Sequence, residues 1–200
     1  MARQNLPAAQ RRNMTVETVV ELAATNNPAE ITTGQIAEHM GLTQGALFRH
    51  FPTKDAVWGA VMVWTADQLT QRLDRALARQ ASPLSALEAM FMAHVGFVAA
   101  RPGVPRILFA ELQRPGDTAA KRGAKALLDG YRVRVMELVE RGKTEGSFPV
   151  DLDAEAAAIL FVGTIQGLVM QAMIAGDFAA MRTMAIRVFG IYLRGIGART

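Results

Sequence analysis

Residues 32–54, TTGQIAEHMGLTQGALFRHFPTK, constrain the fold of this chain more than any other stretch of its sequence. Thr32 and Gln35 have the spacing of a capping box, in which two side chains pair with the free backbone N–H groups that begin a helix. Gly41 is the residue type that ends a helix in the left-handed conformation. The stretch therefore predicts a short helix that ends in a tight turn.

A second short helix is predicted after this turn. Thr43 is a favourable N-cap, and Pro52 disfavours the helical conformation in the residue before it, so we expect a helix over residues 44–51. Leu47 and Phe51 are four residues apart and would face inward together. Two short helices joined by a turn with glycine are typical of the helix-turn-helix, whose second helix enters the major groove of DNA. A buried helical hairpin with a solvated outer face fits the same spacing.

The side chains left on the outer faces suit DNA recognition. Gln44 can pair with adenine, and Arg49 can pair with guanine or hold a phosphate. Gly45 and Ala46 add little bulk, so the helix backbone can approach the bases. A phosphate would also offset the unfavourable position of Lys54 at the start of the next helix. The residues predicted to contact DNA are Thr33, Thr43, Gln44, Gly45, Ala46, Phe48, Arg49, His50 and Lys54.

The same stretch resembles the N-terminal signature of the tetracycline-repressor (TetR) family. The positions that agree are Thr32-Thr33, Ile36-Ala37, Gly41-Leu42-Thr43, Gly45, Leu47-Phe48, His50-Phe51-Pro52 and Lys54. The resemblance implies an all-helical homodimer with an operator-binding domain and a larger ligand-sensing domain. The family usually has tyrosine at position 48, where its hydroxyl commonly touches a phosphate, and Phe48 lacks that hydroxyl. Asn26-Asn27-Pro28 also replaces the aromatic-to-glycine corner usual before the motif.

Composition narrows the class of protein. Half of the 200 residues are hydrophobic and none is cysteine, which excludes disulfides and thiolate metal sites. The net charge is +4, but residues 1–60 carry as many acidic as basic side chains, so a DNA role depends on individual cations. The chain shows neither an uninterrupted apolar run of membrane-spanning length nor a leader, so we predict a cytoplasmic protein without membrane contact.

Catalytic and cofactor chemistry is not indicated by the sequence. His39, His50 and His94 have no partners at metal-ligand spacing on their own helices. Neither a glycine-rich phosphate loop nor a nucleophile elbow can be identified. We therefore predict that the protein is not an enzyme and requires no metal or cofactor.

The remaining sequence predicts helices throughout, with a domain boundary near residue 52. Arg3, Arg11 and Arg12 belong to an N-terminal region that either reaches DNA or is a solvated terminus. The helix predicted from Lys54 to about Arg79 is long enough to carry movement between two domains. We predict an all-α fold with two parts. These are a three-helix, helix-turn-helix DNA-binding domain, residues 1–52, and a larger helical ligand-binding and dimerisation domain, residues 53–200.

A ligand pocket is predicted where aromatic and isolated polar residues occur on helices that must face one another. Such a cavity would be apolar with a few polar anchors. Packing of each residue in an ordinary core is the alternative. The residues predicted to line the pocket are Trp64, Phe91, His94, Phe109, Tyr131, Phe161 and Gln166.

A dimer interface is predicted on the last two helices, residues 154–175 and 178–195. Both carry more apolar residues than one face of a peripheral helix needs, and Gly163 and Gly167 permit close approach of another helix. Burial of both helices inside a monomer is the alternative. The residues predicted at the interface are Val162, Ile165, Val169, Phe189 and Leu193.

These features together favour a transcriptional regulator, expected to be a repressor. Its partners would be a double-stranded DNA operator, a small apolar or amphipathic inducer and a second copy of the chain. Inducer binding would shift the population of conformations. This shift would change the spacing of the two DNA-binding domains of the dimer, here called reading heads. The alternative is a helical protein that binds a small molecule and carries a vestigial DNA-binding head.

Overall fold

The computed structural model describes residues 7–199, and these form nine α-helices without a β-strand. The all-α class is therefore confirmed, and Arg3 of the predicted N-terminal arm lies outside the described residues. The helices are α1 (Ala8–Thr25), α2 (Thr33–His39), α3 (Gln44–Phe48), α4 (Lys54–Leu77), α5 (Pro83–Ala99), α6 (Gly103–Gln113), α7 (Ala119–Thr144), α8 (Ala154–Ala175) and α9 (Ala180–Gly195).

Packing divides the chain into two compact units. The first contains the residues up to Asp67 together with Arg101–Lys125, and the second contains Gln68–Ala100 and the chain from Ala126 onward. Two of the three boundaries fall inside α4 and α7, so each of these helices contributes to both units, and the third falls between α5 and α6. The first unit therefore includes more of the chain than the helix-turn-helix alone. The functional boundary predicted after residue 52 stays a prediction.

In the first unit, α6 packs directly on α1. Gly103 begins α6, and a Cβ atom placed on it would lie 1.9 Å from the carbonyl oxygen of Val20. Only a residue without a side chain allows the two backbones to approach so closely. The glycine therefore allows α6 to pack closely against α1, the first helix of the predicted DNA-binding domain.

A second contact ties the end of α6 to the start of α4. One guanidinium nitrogen of Arg114, Nη1, donates to Oδ1 of Asp55 at 2.8 Å and to both carboxylate oxygens of Glu111 at 3.2 Å. Glu111 is only 2% exposed, so Arg114 supplies the partner that a buried carboxylate requires. The hydrogen bond from Arg114 also lowers the pKa of Asp55.

In the second unit, α8 and α9 pack against each other and against α5. Asp153 caps α8 by accepting hydrogen bonds from the backbone N–H groups of Glu155 and Ala156. By length and hydropathy α8 could cross a membrane, but nearly half of its apolar window is buried inside the protein. We interpret α8 as a core helix with one uncovered side.

Several helix ends differ from the sequence-based predictions. The second helix of the motif ends at Phe48 rather than Phe51, because the last residues before Pro52 form a turn. The helix predicted from Lys54 to about Arg79 ends at Leu77, because the chain turns before Pro83. These shifts leave the order of the predicted helices unchanged.

Candidate DNA-binding interface and ligand site

The first helix of the motif begins with the predicted capping box. The hydroxyl of Thr32 accepts from the backbone N–H of Gln35 at 3.1 Å, and Oε1 of Gln35 accepts from the backbone N–H of Thr32 at 2.8 Å. Gly41 follows the helix with φ of 63°, the left-handed conformation that the turn needs. The sequence therefore positions the second helix through local hydrogen bonds and one glycine.

The second helix, α3, is held from both sides. Its N-cap Thr43 accepts from the backbone N–H of Ala46 at 3.2 Å. Leu47 and Phe51 are each 1% exposed, which confirms that they face inward. At the other end, Nη1 of Arg12 donates to the carbonyl oxygen of His50 at 2.9 Å while its guanidinium lies 4.6 Å from the ring centre of Phe51. Arg12 therefore braces the end of α3, a role that its position in the sequence does not signal.

The outer face of α3 is open to solvent. Gln44, Gly45, Phe48 and Arg49 are exposed. Among the described residues, no atom lies within 4 Å of a Cβ built on Gly45, so packing inside the chain does not require glycine there. A glycine that weakens a five-residue helix without a packing reason indicates that something outside the chain approaches this face.

Gln44 is already engaged with the neighbouring helix. Its Nε2 donates to the hydroxyl of Thr33 at 2.7 Å, which links the two predicted DNA-contacting residues. The amide keeps one N–H and its carbonyl oxygen, so pairing with the edge of an adenine remains possible. The contact fixes the direction in which the amide points.

Lys54 is turned toward the protein. Its ammonium donates to the carbonyl oxygen of Ala29 at 3.0 Å and lies 5.3 Å from the ring centre of Trp58. Partial burial, followed by the charge of Arg114, lowers the pKa of Lys54. In this conformation the lysine connects the start of α4 to the loop between α1 and α2, and a phosphate contact would require it to share or leave that bond.

The residues predicted to line the ligand pocket separate into three groups. Phe91, Tyr131 and Phe161 lie together in the second unit, with ring centres 5.3 Å apart for the two phenylalanines and 6.0 Å apart for Tyr131 and Phe161. Trp64 and Phe109 belong to the first unit, and Gln166 is exposed on α8. The seven-residue lining expected from the sequence therefore stays a prediction.

His94 joins the aromatic group. Its ring centre lies 5.3 Å from that of Tyr131, and the cluster continues to Phe189 and Tyr192 on α9. Both Nδ1 of His94 and the hydroxyl of Tyr131 are buried without a hydrogen-bond partner among the described residues. Burial lowers the pKa of His94 to about 4 and raises the pKa of Tyr131. Buried polar atoms almost always find partners, so these two atoms are candidate contacts for a polar group from outside the chain.

The predicted interface residues on α8 and α9 lie inside the chain. Val162, Ile165, Val169 and Phe189 are at most 7% exposed, and Leu193 is half-buried. They face the chain's own helices because α8 is apolar on several sides, and composition alone does not show which side meets which neighbour. The exposed large apolar residues on these helices are instead Ile159, Leu160, Met170, Ile174, Met184, Ile186 and Ile191.

Metal chemistry gains no support from the described part of the chain, where no group of three or more acidic, histidine or cysteine side chains could hold an ion. The candidate functions therefore rest on the exposed face of α3 and on the buried His94 and Tyr131.

Comparison with known proteins finds a matching family model for each of two parts of the chain. The model of "bacterial regulatory proteins, tetR family" matches residues 16–61, and that of "YsiA-like protein, C-terminal region" matches residues 65–195. A nucleoid occlusion factor, SlmA, from Vibrio cholerae is 26% identical over 176 residues, covering 86% of this chain and 88% of the relative. The corresponding factor from Alteromonas mediterranea is 28% identical, covering 70% of this chain and 68% of the relative.

Solved structures share the fold at low sequence identity. The fatty acid degradation regulator FadR from Bacillus halodurans has a TM-score of 0.82 at 18% identity, covering 94% of this chain and 97% of that one. FadR from Bacillus subtilis, solved in complex with stearoyl-CoA, has a TM-score of 0.81 at 18% identity, covering 92% and 98%.

These matches agree with the helix-turn-helix geometry and with the helical second unit. They identify a DNA-binding regulator rather than an enzyme, in a family of soluble proteins, while the predicted cytoplasmic location stays a prediction. Because the second family model alone spans more than half of the sequence, the chain belongs to the TetR family of bacterial regulatory proteins.

Proposed function

We propose that this chain is a ligand-responsive transcriptional repressor that leaves its operator when a small apolar or amphipathic inducer binds the second unit. The observation that carries the proposal is the outer face of α3. That face exposes Gln44 and Arg49 around a glycine that packing does not require, on a helix braced by Thr43 and Arg12. Rigid support of a polar, uncovered face is what base recognition needs.

Base edges would be read by Gln44 and Arg49, and phosphates would be held by Thr33, Thr43 and His50. Thr33 already orients Gln44, so its replacement would disturb base recognition as well as phosphate contact. Phe48 is 41% exposed beside Arg49 and would contact the sugar-phosphate backbone through its ring alone. Contact by the apolar ring would add to affinity without a hydrogen bond.

The inducer would bind at the aromatic core of the second unit. His94 and Tyr131 offer two buried polar atoms among aromatic rings, which suits a mostly apolar molecule with one polar group. The stearoyl-CoA complex of FadR from Bacillus subtilis gives an amphipathic ligand in a protein of this fold. A ligand of that general type is our candidate class.

Dimerisation would use the side of α8 and α9 that the chain leaves uncovered. Ile174 is 74% exposed and Ile191 is 61% exposed, although both are large and apolar. A Cβ on Gly163 or Gly167 would meet no described atom within 4 Å, so a second helix has room to approach there. We therefore move the proposed interface from the buried residues to this exposed face.

Ligand response would reach the DNA through α4 and α6. α4 runs from the second unit into the first, and inside the first unit Arg114 joins the end of α6 to Asp55 at the start of α4. Gly103 seats the other end of α6 against α1. A small displacement of either helix would therefore move the support of the reading head.

Operator binding tests this function directly. Duplexes selected from a random pool would be titrated by fluorescence anisotropy with wild type, Arg49→Ala and, as a matched exposed arginine on α7, Arg141→Ala. We expect Arg49→Ala to reduce affinity for the selected duplex by about tenfold or more, because a dimer presents two copies of Arg49, while Arg141→Ala binds normally. If no preferred sequence is selected and the chain still binds apolar ligands, the result would instead favour a small-molecule-binding protein with a vestigial DNA-binding head.

A second candidate function comes from the SlmA proteins, which are nucleoid occlusion factors and match most of this chain. DNA binding of that kind would act outside transcription. Mapping of bound sites along the chromosome separates the two. A few sites upstream of genes whose transcripts change on deletion would support the repressor, whereas many sites without transcript changes would support the second candidate.

A further inference from the structure

The second unit contains an open groove of about 620 Å³ that the proposed inducer site does not use. It is lined by the last turns of α4 and the residues just after them, by one face of α5 with the residue that follows it, and by one residue of α9. Four of the lining side chains are the arginines Arg72, Arg75, Arg79 and Arg182, and none of the described residues that line it is acidic. This concentration of positive charge does not follow from the DNA-binding function, because the groove lies outside the unit that contains the reading head.

The groove is built from small residues on a single face of α5. The lining includes Ala89, Ala93 and Gly96 of α5 and Ala100 just after it, which recur at helical spacing and leave the floor open beside Phe97. The buried aromatic side of the same helix carries Phe91. α5 therefore separates the charged groove from the apolar core.

Three of the arginines are held in place by contacts inside the chain. Nε of Arg75 donates to the carbonyl oxygen of Gln71 at 3.0 Å, and Nη2 of Arg182 donates to that of Gly96 at 3.3 Å. The guanidinium of Arg72 lies 5.0 Å from the ring centre of Phe97. Because each guanidinium has five N–H donors, the contacts of Arg75 and Arg182 orient these two groups and leave donors for a ligand.

The acidic residue nearest in sequence has its ion-pair partner outside the groove lining. Asp74 lies between Arg72 and Arg75 along α4, but its carboxylate pairs with Arg134 of α7 at 3.0 Å. Three exposed arginines, Arg75, Arg79 and Arg182, therefore line the same groove, an arrangement that an anion would stabilise.

We propose that this groove binds a small molecule carrying at least two phosphate groups. Guanidinium forks match phosphate oxygens in pairs, and the volume suits a molecule of nucleotide size. An acidic peptide would spread its carboxylates along an extended chain at about 3.3 Å per residue, which matches these arginines in one groove less well. The proposal goes beyond the proposed function, since it requires neither operator DNA nor a ligand in the aromatic core.

Calorimetry on the full chain tests the proposal with inorganic pyrophosphate and ADP as probes. We expect both to bind at low salt and to bind more weakly as salt increases. The double variant Arg75→Gln, Arg79→Gln should weaken both probes by about tenfold or more, while Arg141→Gln on α7 should leave their affinity unchanged. Arg79→Gln alone, at an exposed position, provides the test if the double variant fails to fold.

The phosphate-bearing ligand could be a free nucleotide or the head group of a larger molecule, and two further probes distinguish these sources. Equal affinity for ADP, CoA and a long-chain acyl-CoA would identify a free nucleotide. Tighter binding of the acyl-CoA, still weakened by Arg75→Gln and Arg79→Gln, would identify a head group. Absence of binding by every phosphate probe, equal weakening by Arg141→Gln, or binding of an acidic peptide alone would overturn the proposal.

Discussion

Replacement of Gly103 by alanine should loosen the DNA-binding head although the residue touches no predicted DNA contact. A Cβ at this position would lie 1.9 Å from the carbonyl oxygen of Val20, 2.9 Å from its carbonyl carbon and 3.1 Å from the backbone nitrogen of Ala24. Real Cβ atoms essentially never come closer than 3.0 Å to another heavy atom, so α6 and α1 must separate locally by at least 1.1 Å, the difference from 1.9 Å.

The energetic cost follows from this overlap. Backbone atoms cannot rotate away as a side chain can, so the strain falls in the range found for overpacked cores, about 3 kcal/mol. For a chain of this length that corresponds to a fall in Tm of roughly 6–12 °C. Since α6 supports the first helix of the head, operator affinity should fall as well.

Gly45→Ala provides a matched control in the same unit for the stability effect only, because Gly45 is itself a predicted DNA contact. Its new methyl group meets no described atom within 4 Å, and alanine favours a helix by up to about 1 kcal/mol, so its Tm should stay equal or rise. Thermal unfolding followed by circular dichroism, with anisotropy on the selected duplex, measures both effects. If Gly103→Ala melts within about 1 °C of wild type and binds DNA equally well, the inferred contact between α6 and α1 is wrong.

Three further predictions concern single side chains. Lys54→Ala should reduce the slope of log affinity against log salt concentration by about one for each phosphate that the lysine neutralises. An unchanged slope with a lower Tm would show that the lysine only stabilises the fold. Ile174→Asp should weaken the dimer by about tenfold or more in sedimentation, while Val150→Asp, at another exposed apolar position, should not; dimers in both variants would remove this face from the interface. Burial lowers the pKa of His94 from 6.5 to about 4, so the unfolded chain binds this proton more readily than the folded chain. The stability that the folded chain has with neutral His94 is therefore complete above pH 6.5 and is lost as the pH falls from 6.5 to 4. Relative to His94→Gln, wild type should lose about 3 kcal/mol across that window, and parallel pH profiles would contradict this.

The motif of the reading head could be predicted because its signals are local. The pairing of Thr32 with Gln35 spans three residues, and the N-cap bond of Thr43 also spans three. Gly41 adopts its left-handed conformation through its own lack of a side chain. Short-range hydrogen bonds and residue conformations of this kind depend little on the rest of the chain.

The predicted ligand residues show what local sequence patterns do not determine, namely which helices pack together. The sequence placed Phe91, Tyr131 and Phe161 on helices expected to face one another, and the structure brings their rings together. The same reasoning assigned Trp64 and Gln166 to that site, but one belongs to the other compact unit and one is exposed. Periodicity identifies an apolar face and does not identify the helix that covers it.

The all-α class, the order of the helices and the outer face of α3 could all be predicted from residue patterns. Three other features emerge from the folded chain: Arg12 braces His50 across 38 residues, Arg114 reaches Asp55 across 59, and one side of α8 remains uncovered. The predictable features follow from the 3.6-residue period and from caps made within a few residues. The others depend on contacts between segments far apart along the chain, and their partners are set by how the whole chain packs.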